Sequence, residues 1–143
     1  MRLPPTRVLA ILCAPALALS LSACAQTVST SGLNGEAKAA AETIKDLQSN
    51  VTSGEQKKIC KDDLASAVVK RLQALPGGCQ QAIKEQVTEI DALELTVESV
   101  QLGGTPAART ATAHVKSIYS GKKRKTTMSL VKEGGKWKIS SFS

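Results

Sequence analysis

Four cysteines and one histidine are the residues of this 143-residue chain best suited to nucleophilic, redox or metal chemistry: Cys13, Cys24, Cys60, Cys79 and His114. Zinc asks for three or four ligands around a tetrahedral centre. Cys60, Cys79 and His114 are the set to consider, but no Cys-x-x-Cys or histidine pair accompanies them. No metal site is therefore expected. Asp62 and Asp63 are adjacent. Neighbouring side chains on a helix diverge by about 100°, so the pair reads as carboxylates at a helix start, where they meet free N–H groups and the positive dipole end. His114, the single histidine, is the residue to weigh for acid–base work, and it falls on the more polar face of a strand. A serine triad lacks its Gly-x-Ser-x-Gly turn, and the glycine pairs lack the strand–loop–helix context of a phosphate loop. No catalytic group and no cofactor site are expected; an enzyme using His114 is the least favoured reading.

The thiols then turn on where the chain goes. Arg2 and Arg7 are the charges in the first 23 residues, Val8 to Leu21 is uncharged and apolar, and small residues follow at Ser22 and Ala23. That is the layout of a secretory signal. The run is short for a span of roughly 20 residues, and Pro15 weakens a permanent helix. The tetrad Leu21-Ser22-Ala23-Cys24 resembles the lipobox of bacterial lipoproteins. The resemblance implies that residues 1–23 are removed, that acyl chains such as palmitate are carried on Cys24, and that the protein stands on the outer face of a bacterial cytoplasmic membrane. Ordinary cleavage after Ala23 is the alternative. Residues 24–35 are small, polar and Gly-containing, a flexible tether. Its last eleven residues, Ala25 to Gly35, reach at most roughly 40 Å.

Export leaves Cys60 and Cys79 as an even pair, which favours a disulfide over free thiols. Closing that loop contributes on the order of 3 kcal/mol. The elements that position the pair are helical. Ala37, Ala40, Ala41, Ile44, Leu47 and Val51 recur at helical spacing from Glu36 to Val51, with Asn34 as a cap and Ser53-Gly54 as a stop. A second helix is expected from Asp62-Asp63 to Leu75, closed by Pro76-Gly77-Gly78, and a third from Cys79 to about Ile90.

The rest alternates with period two. Leu93, Leu95 and Val97 form one face of a first strand, with a turn at Gly103 to Pro106. Arg109 to Tyr119 follows, its core face carrying Ala111, Ala113 and Val115. A third strand runs from about Lys125 to Lys132, and a last one from Trp137 to Phe142 after Glu133-Gly134-Gly135-Lys136. Helices before an antiparallel meander give an α+β domain over residues 36–143, its helices on one face of a curved antiparallel sheet. The order, the cysteine pair around a helical hairpin and the closing Trp-Lys-Ile strand resemble the NTF2-like (cystatin-like) lipoproteins of actinobacteria. That resemblance implies a cone whose open end can hold an apolar ligand. The aromatics that often line such cones are nearly absent here: Tyr119, Trp137 and Phe142 are the whole set.

Charge is unevenly spread. Without the first 23 residues, 17 basic and 12 acidic side chains leave +5. Ser99 to Ser143 holds nine basic residues and one acid, Glu133, and Lys122, Lys123, Arg124 and Lys125 run consecutively. The run reads as a hairpin tip able to meet an anionic lipid, a wall polymer or an envelope protein, or as a solvated turn. No aromatics interleave with it to stack bases, so nucleic acid is not an expected partner. The leading expectation is a membrane-anchored, non-enzymatic envelope lipoprotein that binds a partner or a small apolar ligand. The alternative is a structural or regulatory envelope protein that acts through its basic surface without a cavity.

Overall fold

Alternation and turn chemistry make the C-terminal half a four-stranded antiparallel meander, in the order β1 (Leu93–Thr105), β2 (Ala108–Tyr119), β3 (Lys122–Glu133), β4 (Lys136–Phe142). The computed structural model describes residues 32–88, 93–119 and 121–143. The signal segment, Cys24, most of the tether, Ile90 and Asp91 lie outside the described residues. One parity of each strand carries the buried apolar residues: Val97 on β1, Ala111, Ala113 and Val115 on β2, Met128 and Leu130 on β3, Trp137 and Ile139 on β4. Two bulges interrupt the register, at Glu98 between Val97 and Ser99 and at Ser140 opposite Ser129 and Leu130. Bulges bend a sheet and raise its twist, and here they curve it around the helices.

Two expected strand limits move. β1 runs through Gly103 and Gly104 to Thr105, because Gly104 pairs with Arg109 and the chain turns on Pro106 and Ala107. A Cβ on Gly104 would stand 2.1 Å from the Ala108 carbonyl oxygen, so glycine is what admits this pairing. β3 begins at Lys122, not near Lys125, because Tyr119 and Lys122 are already partners.

Helix α1 (Gly35–Thr52) lays Ala40, Ala41, Ile44 and Leu47 on the sheet, its two alanines allowing close approach. Asn34 holds the N-cap position, but its side chain makes no cap bond. Glu36 in the first turn instead accepts from Lys132 Nζ (2.5 Å) and Trp137 Nε1 (2.9 Å). These bonds, with Lys132 first, hold its carboxyl below the usual range.

The second helix departs most from expectation. Helical turns begin before its expected start, in α2 (Gln56–Lys58) and a π-turn at Ile59–Asp63; an extended break at Leu64 and Ala65 follows, and the expected segment continues as α3 (Ser66–Gln73). The break has a tertiary cause. Leu64 bridges Ile139 in parallel, and Ala65 N–H donates to the Ile139 carbonyl at 2.9 Å. Both residues are thereby buried. Asp62 and Asp63 do not start α3; its free N-terminus is met by Glu133, which accepts from Ser66 N (3.0 Å) and Ser66 Oγ (3.0 Å). Lys138 is buried on β4 and closes the π-turn, its Nζ donating to the carbonyls of Lys61 (2.8 Å) and Asp62. Helix α4 (Gly78–Val87) follows the turn at Gly77.

No described helix is long and apolar enough to cross a membrane. The core cluster runs from Ala40 to Ile139 and includes Cys79, with Leu33 packed against it. A chain starting at residue 32 holds all of these contacts.

Candidate functional site

The helical layer does not close completely on the sheet. Leu47 and Val51 of α1, Ile59 of the π-turn, Leu64, Val68 and Leu72 of α3, and Ile83 and Val87 of α4 surround a cavity of about 320 Å³, with Leu93 and Phe142 at its sheet side. Gln86 is the single polar side chain of the described lining. Phe142 is 52% exposed, so a large apolar ring borders solvent at this opening. Ligand pockets range from about 300 Å³ upward and are mostly apolar; this one sits at the small end. With no ionisable group in its described wall, the cavity can desolvate an apolar molecule but offers no proton donor or acceptor beyond an amide.

The cysteines brace this site. Cys60 and Cys79 form a disulfide with Cα atoms 6.2 Å apart, joining the π-turn to the first turn of α4. Their neighbours Ile59 and Ile83 both line the cavity, so the bond ties two of its walls together.

The other singled-out residues lie elsewhere. His114 is exposed on the sheet face turned away from the helices, 3.5 Å from Thr127 Oγ1 through Nδ1, and the cavity is on the opposite face. Lys122, Lys123, Arg124 and Lys125 are not a hairpin tip: all four belong to β3 and pair with Tyr119, Ile118, Ser117 and Lys116. Among the described residues no group of three His, Cys, Asp or Glu is placed to hold a metal ion.

Asp63 is a site the helix-start reading missed. It is 2% exposed and accepts from Asn50 Nδ2 at 2.8 Å. Burial, only partly offset by that bond and reinforced by the negative charges of Asp46 and Asp62, raises its pKa. The folded protein therefore holds a proton that the unfolded chain releases nearer 3.8. This group's contribution is most favourable at low pH and declines as pH rises through that window. Glu36 and Glu98, both lowered, act in the opposite sense. The stability of Asp63→Asn relative to wild type should thus increase with pH. Asn50→Ala, which strands the carboxylate, should cost about 1–3 kcal/mol at neutral pH. Urea titrations of the three proteins across pH 3 to 8 check this, and a flat difference between wild type and Asp63→Asn would refute it.

Sequence periodicity marked Leu47 and Val51 as inward-facing. It gave no sign of the space left between them, and Phe142 and Gln86 carried no signal.

No protein-family model matches the chain, and no curated protein does. Solved structures do. A designed NTF2 protein, Rd1NTF2_05 with five substitutions, is 17% identical, with 73% of this chain and 96% of that one covered and a TM-score of 0.46. An NTF2-like-family protein of Streptomyces avermitilis, a proposed dehydratase, is 10% identical, with 75% of this chain and 92% of that one covered and a TM-score of 0.52. The architecture is that of the NTF2-like fold: helices against one face of a curved, four-stranded antiparallel sheet.

Proposed function

We propose that this chain is an extracytoplasmic lipoprotein, held to a membrane through Cys24, whose NTF2-like domain binds a small apolar ligand between α1, α3, α4 and the sheet. The cavity carries this reading: about 320 Å³, lined by aliphatic side chains and Phe142, with Gln86 left to orient a polar end. The lipobox-like tetrad at Leu21 to Cys24 supports the address. The similar Streptomyces protein is a proposed dehydratase. Elimination of water needs a base and an acid at the substrate, and the described wall of this cavity supplies neither, so binding without turnover is the better reading.

The test uses residues 32–143 and the neutral fluorescent probe N-phenyl-1-naphthylamine. Wild type should enhance its emission in a saturable way. Leu72→Trp and Val68→Phe, each placing a larger ring in the cavity, should weaken the probe at least about tenfold, the equivalent of 1.4 kcal/mol. An unchanged circular dichroism spectrum shows that the variants fold. Saturable binding equal in all three proteins, or none in wild type, would overturn the proposal.

A further inference from the structure

The basic run acquires a shape once it is placed on β3. In antiparallel register Lys125 stands opposite Lys116, and Lys123 opposite Ile118. These four lie on the face turned away from the helices. With Thr96 and Arg124 they border a second depression, of about 440 Å³, at the end of the sheet. Like charges directly opposite one another weaken a ladder. The bulged Glu98 relieves part of this by pairing with Lys116 at 2.5 Å. Lys125 and His114 also draw down the Glu98 pKa, after Lys116. Lys122, Lys123 and Arg124 meet no carboxylate in an ion pair among the described residues. All four cations of the run are exposed.

We propose that this end of the sheet is a docking surface for the anionic phosphate headgroups of a phospholipid membrane. The features that favour a lipid surface are chemical. Three of the four cations are lysines, compact point charges that need no fixed partner geometry. They sit on a hydrogen-bonded strand, so several charges are presented at once without the entropy of ordering a loop. Ile118 and the aliphatic stems lie between the charges, and such stems pack along apolar material while their heads stay at the phosphates. A protein partner would be expected to find aromatic anchors; the described lining of this depression has none. The surface is separate from the apolar cavity and does not depend on the lipid at Cys24.

The test uses residues 32–143, which lack Cys24, so its result is independent of the anchor. Sedimentation with vesicles of phosphatidylcholine alone is compared with vesicles containing phosphatidylglycerol. Wild type should bind only the anionic vesicles, and more weakly as salt shortens the screening length from about 10 Å at 0.1 M. Each cation near the surface is worth about fivefold in partitioning. Replacing Lys122, Lys123, Arg124 and Lys125 by Gln should therefore weaken binding by roughly 600-fold. Replacing Lys57, Lys70, Arg71 and Lys84 on the helices by Gln removes the same charge and should leave most of the binding. Equal loss in the two fourfold variants, equal binding to both vesicle types, or no binding at all would overturn the proposal.

Discussion

Cells fed labelled palmitate should incorporate the label into the wild-type protein and none into Cys24→Ser. The expected effect is all-or-none, because the thiol is the attachment point that the Leu21-Ser22-Ala23-Cys24 resemblance implies. Each buried methylene contributes about 0.8 kcal/mol, so one acyl chain is marginal while two hold stably. Losing the sulfur loses both. The wild-type mature chain should begin at Cys24 and be heavier than its sequence by the mass of the lipid. In fractionation it should pellet with membranes and be released by detergent, not by salt. Salt insensitivity separates this anchor from the electrostatic docking proposed for β3, which salt weakens. A wild-type protein that takes up no label, with an unmodified residue at its mature start, would remove the anchor from this account.

Reduction of the Cys60–Cys79 bond should cost about 3 kcal/mol, because the linkage closes a loop with a separation of 19 residues. For a domain of this size each kcal/mol moves Tm by roughly 4–8 °C, so Cys60→Ser with Cys79→Ser should melt about 12–24 °C below wild type. The effect should extend to binding. The bond ties the π-turn to α4, and Ile59 and Ile83 from these two elements face the same cavity. The double variant should therefore hold an apolar probe more weakly at temperatures where it is still folded. Melting curves with and without reductant give the first result and probe titration the second. Alkylation of two thiols only after reduction verifies the starting state. Identical melting of the oxidised and reduced proteins would show that the loop is ordered without its staple.

Much of the fold was legible because the deciding forces are local or periodic. The three- and four-residue spacing from Ala37 to Val51 could be satisfied by one helical face, and Ala40, Ala41, Ile44 and Leu47 are the residues it buries. Strand parity was legible for the same reason: Ala111, Ala113 and Val115 face inward and His114 and Lys116 outward. The pairing of Cys60 with Cys79 followed from counting. What periodicity could not show depends on partners distant in the chain. Leu64 and Ala65 leave the helix because Ile139 offers them backbone partners 75 and 74 residues later. Asp63 looked like a cap because its spacing was right, but Asn50 takes its carboxylate inside. Lys138 alternates like a solvent residue, yet the carbonyls of the π-turn hold it at 8% exposure. The cavity was hidden most deeply. It is a gap between faces that were each read correctly, and its volume depends on how far apart the bulged sheet and the broken helix hold them.

The order in which the chain is made gives β4 a further significance. It is the last element, and the helical layer is anchored to it and to the end of β3: Glu36 to Lys132 and Trp137, Ala65 to Ile139, Ser66 to Glu133. A ribosome or a translocation channel that delivers the N-terminus first releases α1 about a hundred residues before these partners. Until they arrive α1 has only part of its sheet, chiefly β1, where Gln48 accepts from Leu95 N–H, and an isolated helix of its length is only marginally stable. The helical layer therefore gains these anchors only with β4. Contacts this distant in sequence slow folding.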